Sequence, residues 1–192
     1  MGDPKKQRKK YETPRFPWRT DALQEELSLL GQYGLRNKRE LWRHETMLSK
    51  FRGLARSLIG KTTEERMKMG EMLLTRLKKL GILHEEAAFD GILDSTIEDI
   101  LERRLQTIVF RKNLSKSMYQ ARQLITHGHI AIGNQRVTVP SYLVEKEEEE
   151  QVMYTPQSPL ANSNHPLRQT IALITTTENT KTTQAKESQK FE

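Results

Sequence analysis

The spacing of the apolar residues changes at Gly128, and this change limits the fold more than any other feature of the sequence. Before Gly128, apolar residues recur every three or four positions, which is typical of helices that bury one face. After it they alternate with polar residues, which is typical of half-buried strands. Residues 130–132 and 135–139 flank Gly133-Asn134, so the pattern predicts a hairpin with a two-residue turn.

This hairpin has a predicted register and leaves room for a third strand. With a two-residue turn, Ile130 faces Val137, while Arg136 and Thr138 point to the other face of the ladder. Residues 151–154 are predicted to add a strand. The fold class is therefore predicted to be α+β. An N-terminal helical domain with a basic arm is followed by a small domain made of a helix–turn–helix and a β-hairpin.

Helix starts are predicted from residues whose side chains accept a hydrogen bond from the first helical turn. They are Asp21, Asn37 with Glu40, Thr62 with Glu65, Ser95 with Glu98, and Ser117 with Gln120. Gly31 and Gly34 are predicted to end the first helix, and Gly81 is predicted to end the third. Residues 82–94 are interpreted as a connection.

The helix that starts at Ser95 is predicted to continue past Arg104 without a break, because its apolar residues fall on one arc at 100° per residue. Arg104 and Arg111 then lie at one flank of that arc, about 10.5 Å apart along the axis. Leu27 and Leu54 are predicted to face inward in the first two helices. In the helix after Ser117, the side chains predicted to face outward are Tyr119, Arg122, Gln123 and Thr126.

Charge is distributed unevenly along the chain. The formal net charge is +7 and only 35% of the residues are hydrophobic, which favours small cores and a polyanionic partner. Residues 1–60 hold 14 basic and 7 acidic side chains, and residues 102–144 hold 7 basic and 1 acidic. The segments 61–101 and 145–192 are net acidic. The two basic blocks are therefore the candidate binding surfaces.

The same pattern predicts four segments. We expect the basic arm, residues 1–20, to order only on a partner, because its prolines exclude a helix and its apolar residues are few. The tail, residues 155–192, is predicted to be mostly disordered, or ordered on a partner, because it is rich in Pro, Ser, Asn and Thr. The segments are an extended basic arm (1–20), a helical domain (21–101), a helix–hairpin domain (102–154) and a flexible polar tail (155–192).

Several classes of protein are excluded or disfavoured. The chain has no cysteine, which excludes disulfides, thiol catalysis and Cys-ligated metals. It has no apolar run long enough for a membrane span and no apolar segment after its basic start, so we expect a soluble protein of a reducing compartment. Gly60-Lys61-Thr62 lacks the rest of a phosphate loop, and His127 with His129 has no further ligand nearby. We therefore predict no catalytic residue, no metal site and no cofactor.

Nucleic-acid binding fits the basic blocks, and RNA is favoured over DNA because no helix looks like a major-groove reader. In the second block the predicted surface consists of Arg104, Arg111, Lys112, Lys116 and Arg122, with Arg136 at its edge. In the first block the candidate residues are Lys5, Lys6, Arg8, Lys9, Lys10, Arg15, Arg36, Lys38, Arg39 and Arg43. The acidic run 145–150 is expected to face away from RNA, toward a basic neighbouring protein or solvent.

Several stretches resemble a known family. Leu105 to Lys112, Ser115-Lys116-Ser117, Ala121 to Ile130, Arg136-Val137 and Pro140-Ser141-Tyr142 closely resemble the S-four RNA-binding domain. Thr13 to Trp18 and Tyr33 to Glu40 are similar to the archaeal–eukaryotic branch of the S-four family of small-subunit ribosomal proteins. The resemblance covers roughly residues 3–160.

The resemblance implies a function and a set of contacts. It implies a structural component of the small ribosomal subunit that binds rRNA at a junction in the 5′ domain. It further implies that the protein nucleates assembly of the subunit body, contacts neighbouring ribosomal proteins near the path by which mRNA enters, and influences decoding accuracy. The implied location is the ribosome in the cytoplasm. The residues implied to contact rRNA are Arg104, Arg111, Ser115, Lys116, Ser117, Arg122, His127 and Arg136.

Other functions remain open from the residues alone. An RNA-modifying enzyme that carries an S-four domain needs a separate catalytic domain, for which the remaining helices and tails leave little sequence. An RNA quality-control factor with this domain is a further alternative. A helical protein whose basic faces bind acidic proteins is another.

Overall fold

The computed structural model describes residues 9–59, 63–84 and 89–171. The chain divides between Glu102 and Arg103 into two compact units. We call the part up to Glu102 unit 1 and the part from Arg103 unit 2. Each unit buries its own set of apolar side chains, as the low apolar fraction suggests.

Unit 1 is built around one long helix. Its described helices are α1 (Thr20–Gln32), α2 (Lys38–Ile59), α3 (Thr63–Lys79), α4 (Phe89–Asp94) and α5 (Ile97–Glu102). α2 packs against each of the other four, so it carries most of the core. The largest fully buried side chains of its described part are Leu41, Leu58, Leu77, Ile92, Ile100 and Leu101.

Two of the predicted helix boundaries in unit 1 are confirmed. The Asn37 side chain accepts a hydrogen bond from the Glu40 amide at 3.2 Å, as a helix cap should. Gly81 has a φ of 69°, so its left-handed backbone ends α3. Thr62 lies outside the described residues.

Two predicted caps are wrong. Asp21 lies inside α1, whose cap position is Arg19 and has no side-chain cap. Ser95 closes α4 through its hydroxyl, and Thr96 starts α5 instead, because the Asp99 carboxylate accepts from the Thr96 amide at 2.7 Å. The true cap of α1 lies two residues before the predicted one, and the true cap of α5 lies one residue after it.

Other predictions for unit 1 also need correction. Residues 82–94 are not only a connection, since α4 lies at their end and buries Ile92 completely. α1 continues through Gly31, and Gly34, with a φ of 55°, lies beyond its end. Leu27 and Leu54 are exposed rather than inward, because the helices packed against α1 and α2 leave those sides uncovered.

Part of the basic arm is ordered against α2. The rings of Tyr11 and Trp42 stack with centroids 6.1 Å apart. The Glu12 amide donates to the Thr46 hydroxyl at 2.9 Å. The prediction that the whole arm orders only on a partner is therefore wrong for this stretch, because one aromatic ring and one amide find partners on the helix.

Unit 2 packs two helices against a small antiparallel sheet. Its elements are α6 (Leu105–Arg111), α7 (Met118–Thr126), β1 (Ile130–Ile132), β2 (Gln135–Arg136), α8 (Lys146–Glu149), β3 (Val152–Tyr154) and a short 3₁₀ helix (Pro159–Ala161). The strand order is β2-β1-β3. The core consists of Leu105, Ile108, Val109, Ala121, Leu124, Ile125, Ile130, Val144, Val152, Tyr154 and Leu160.

The predicted hairpin and third strand are confirmed. Ala131 pairs with Arg136, and the Val137 amide donates to the Ile130 carbonyl at 3.2 Å, which is the predicted register. Gly133 has a φ of 55°, whereas Asn134 stays at negative φ, as a type II′ turn requires. The second strand is shorter than predicted, because the chain after Arg136 turns away toward α6.

The predicted continuous helix through Arg104 is wrong. Arg104 has an extended backbone, with φ −71° and ψ 140°, and forms an antiparallel bridge with Leu143. The amides of Leu105 and Val144 donate across this bridge to Tyr142 and Arg103 at 2.8 and 2.9 Å. The apolar spacing could not reveal the break, because residues on both sides of it are buried.

The first part of the predicted flexible tail belongs to unit 2. Leu160 is 4% exposed in the core, and residues 166–171 are helical. The Arg168 guanidinium lies 5.2 Å from the centre of the Tyr154 ring and donates to the Ala161 carbonyl at 2.9 Å. The prediction of disorder is wrong up to Ile171, and the rest of the tail lies outside the described residues.

Candidate nucleic-acid interface

The outer face of α7 is the most continuous part of the predicted surface in unit 2. Tyr119, Gln123 and Thr126 are exposed, and Arg122 is half-buried on the same face. The opposite face is buried in the core, as predicted. A polyanion that approaches this face meets one cation and several hydrogen-bonding groups, and no carboxylate of the helix itself.

The N-terminal end of α7 is capped as predicted. The Gln120 amide donates to the Ser117 hydroxyl at 3.2 Å, and the Gln120 side chain accepts from the Lys116 amide at 2.6 Å. Lys116 is exposed beside this end, where the helix dipole also favours an anion. Ser115 is 3% exposed, and its hydroxyl makes no hydrogen bond in the described part of the chain.

The C-terminal end of α7 carries two of the predicted residues, His127 and Arg136. Gly128, with a φ of 78°, ends the helix. The Arg136 side chain passes so close to Gly128 that a Cβ at this position would lie 3.1 Å from Arg136 Cδ. The His127 ring is exposed and lies parallel to the His129 ring with centroids 6.4 Å apart. His129 in turn hydrogen-bonds Ser158 at 2.8 Å.

Arg104 does not lie on this surface. Its side chain is 0% exposed, so the structure places it in the core and not at the flank of a helix. The cause is the break described above, which pulls its backbone into the bridge with Leu143. Arg111 is exposed in the last turn of α6, as expected.

Lys112 is engaged within the protein. Its ammonium group donates to the backbone carbonyl of Glu149 in α8. Arg103, which was not among the predicted residues, forms an ion pair with the Glu149 carboxylate at 2.7 Å. The acidic helix therefore holds two cations of unit 2. Its formation was not predicted, although Glu145 and Glu148 form a capping box.

Unit 1 carries a second basic surface along α2. Arg39, Arg43 and Lys50 are exposed, and at 100° per residue they fall within an arc of about 40° that spans about 16 Å. We call these three residues the α2 basic stripe. Arg36 is exposed just before the helix. Lys50 was missing from the predicted set, although its spacing from Arg43 signals the same face.

The arm extends the stripe into a groove. Lys9, Lys10, Arg43 and Lys50 line this groove together with Thr46 and Met47. Lys9 also lies 4.7 Å from the centre of the Tyr11 ring, which helps to hold it there. Arg15 is exposed further along the arm. Lys5, Lys6 and Arg8 lie outside the described residues.

Lys38 is paired inside unit 1. Its ammonium group lies 2.7 Å from the Glu26 carboxylate, which also accepts from the Trp42 indole at 2.9 Å. Burial raises the pKa of the Glu45 carboxyl above its usual value, and the neighbouring Glu26 carboxylate raises it further. This cluster ties α1 to α2 and keeps Lys38 from the exposed stripe.

Across residues 9–59, 63–84 and 89–171, no group of three or more His, Asp or Glu side chains is arranged to hold a metal ion. No helix in that part is long and apolar enough to cross a membrane.

Known proteins resemble this chain over most of its length. The S4 domain family, the S-four domain of the sequence analysis, matches residues 103–150. The small ribosomal subunit protein uS4 of Hyperthermus butylicus is 54% identical over 161 residues, which cover 84% of this chain and 92% of that protein. The proteins of the same name from Ignicoccus hospitalis and Picrophilus torridus are 52% and 50% identical, over 83% and 88% of this chain and 96% and 93% of theirs.

The similarity to these relatives covers most of the chain, so it extends over both units and is not confined to the domain in unit 2. They are ribosomal proteins, which does not favour the alternatives of an RNA-modifying enzyme or a quality-control factor. The resemblance seen in the sequence is confirmed: the chain belongs to the uS4 family of small ribosomal subunit proteins.

Proposed function

We propose that this protein is a structural constituent of the small ribosomal subunit and binds its rRNA directly. The observation that carries the proposal is the pair of basic surfaces, one on α2 of unit 1 and one around α7 of unit 2. The first presents exposed cations along α2, and the second presents the exposed Lys116 and Arg136 at the two ends of α7. Phosphate neutralisation by such cations supplies most of the affinity of a protein for RNA.

Unit 2 suits folded RNA read by shape. Lys116 lies at the N-terminal end of α7, and Arg136 and His127 lie at its C-terminal end. The nine-residue helix separates the two ends by about 13 Å, so they are suited to different phosphates of one strand or of two. Tyr119 and Gln123 between them offer contacts to ribose or bases.

Family membership supports a more specific proposal. The rRNA site is a multi-helix junction of the 5′ domain, and binding there nucleates assembly of the subunit body. The protein contacts neighbouring ribosomal proteins near the path by which mRNA enters, contributes to translational accuracy, and resides in cytoplasmic ribosomes. Two basic surfaces on separate units support a role in holding several RNA helices together.

The acidic helix α8 is proposed to face away from the RNA. Residues 145–150 present five carboxylates, and that of Glu149 forms an ion pair with Arg103. Like charges repel phosphates, so a basic neighbouring protein or solvent is the suitable environment. Short-range crosslinks from this run to rRNA would contradict the assignment.

The test is binding to small-subunit rRNA. We expect the protein to co-sediment with small subunits through a salt gradient, and to bind a 5′-domain rRNA fragment more tightly than an unrelated RNA of equal length. The log–log dependence of affinity on salt should correspond to several phosphate contacts. Equal affinity for both RNAs, or no retention on the subunit at moderate salt, would refute the proposed function.

A further inference from the structure

Two aromatic side chains of the arm project from unit 1 without cover. Trp18 is 85% exposed and Phe16 is 66% exposed, whereas large apolar side chains are usually buried. Together with Arg15, Pro17 and Arg19 they line one hollow at the surface. In the described part of unit 1, no core contact accounts for these rings.

The segment that carries the rings is held at both ends. On one side the Glu12 amide is bonded to Thr46, and on the other α1 begins at Thr20. Within it, the Arg19 amide donates to the Phe16 carbonyl at 3.4 Å, which forms a turn. The rings are therefore presented on a short connection between fixed points, which lowers the entropy lost when a ligand binds.

The surroundings of the rings select an anionic aromatic ligand. The Arg15 guanidinium lies 5.5 Å from the centre of the Phe16 ring. No acidic residue lies between Glu12 and Asp21 in the sequence, so Arg15 and Arg19 are available to phosphates. Unpaired nucleotides combine a phosphate with an uncovered base face, and proteins bind them with such aromatic and cationic platforms. A base-paired helix keeps its base faces stacked inside, so it cannot use the rings.

We propose that Phe16 and Trp18 form a stacking platform for unpaired nucleotides of RNA, with Arg15 and Arg19 placed to contact the adjoining phosphates. This inference rests on the proposed function and adds a class of target to it. The rRNA site then includes single-stranded nucleotides beside its helices, and unit 1 recognises them through the arm.

The experiment compares a single-stranded oligonucleotide with a fully paired RNA duplex of the same length, using the full chain. We expect Trp18→Ala to weaken binding of the single strand about tenfold, since stacking on one aromatic ring is typically worth that much. Duplex affinity should change less than about twofold, because phosphate contacts remain. Trp18→Phe should restore most of the loss. Met72→Ala is the matched control, because Met72 is 67% exposed on α3 and lies outside the basic surfaces.

Fluorescence gives a second readout. The chain has two tryptophans, and Trp42→Phe leaves Trp18 as the reporter while keeping an aromatic partner for Tyr11. In that background, the single strand should quench the Trp18 emission and protect it from acrylamide, and the duplex should do neither.

The outcomes separate this inference from the proposed function. Equal losses on single strand and duplex, or no loss on either, would overturn the stacking platform while leaving binding to the rRNA fragment intact. RNA-independent binding of a small-subunit protein that Trp18→Ala abolishes would overturn it in favour of a protein contact. If the wild type bound the rRNA fragment no better than an unrelated RNA, the proposed function itself would fail.

Discussion

Removal of the α2 basic stripe tests how unit 1 binds RNA. The variant replaces Arg39, Arg43 and Lys50 with glutamine. All three side chains are exposed and no partner within the protein is seen for them in the described residues, so the change removes charge without disturbing the core. Their arc of about 40° and span of about 16 Å allow all three to contact one RNA groove edge at once.

The size of the effect follows from counterion release. Each phosphate contact contributes about 0.9 to the log–log slope of affinity against salt, so three contacts contribute about 2.7. Over a fourfold rise in salt, that share of the slope corresponds to a change of about 40-fold in affinity. We therefore expect the variant to bind more weakly at low salt and to depend on salt much less than the wild type.

The assay is fluorescence anisotropy with a labelled 5′-domain rRNA fragment over a series of KCl concentrations. A control variant carries Arg56→Gln, Arg76→Gln and Lys79→Gln, which remove the same charge from exposed positions outside the stripe. It should keep nearly the wild-type slope. If both variants lost the same slope, the effect would be one of net charge, and the stripe would have no special role.

Three further predictions concern other parts of the chain. Arg122→Ala should weaken binding of the rRNA fragment by about 1–3 kcal/mol, because a charge-assisted contact is lost; an unchanged Kd at moderate salt would contradict this. Glu45→Gln should stabilise the protein at neutral pH. The pKa of Glu45 is raised in the folded protein above its usual value of 4.5, so ionisation of its carboxyl destabilises the fold as the pH rises above 4.5. Urea unfolding should show that the stability gained by the glutamine variant vanishes below that pH. Leu160→Ala should cost about 2–5 kcal/mol in urea unfolding, because this core side chain is 4% exposed; a cost below about 0.5 kcal/mol would show that the segment is not part of the core.

The sequence predicts those features of the fold that short-range physics determines. The Asn37 and Ser117 caps, the stop at Gly81 and the hairpin register all depend on residues a few positions apart. The inward and outward faces of α7 follow from helical spacing alone. Such features can be predicted from the sequence because the contacts that determine each of them lie within one helical turn or one hairpin.

Long-range contacts explain what the sequence could not predict. Arg104 leaves the helix because Leu143, far along the chain, offers a bridge to its backbone. Lys112 is engaged because α8 places the Glu149 carbonyl beside it. Composition suggested disorder after Tyr154, but Leu160 finds a place in the core. The charges of the candidate site were predictable, whereas the burial of Arg104 and the engagement of Lys112 were not.

Leu160 belongs to the core of unit 2 but lies near the end of that core's sequence, and this position sets the order in which the two units can fold during synthesis. All of unit 1 precedes residue 103, whereas unit 2 gains its last described buried side chains at Leu160 and Ile171. At typical synthesis rates of about 5–20 residues per second, these 69 residues take roughly 3–14 s to appear. Since domains fold as units, the α2 stripe is complete several seconds before α7 has a finished core beneath it. A nascent chain therefore offers its two RNA surfaces one after the other, with the helical one first.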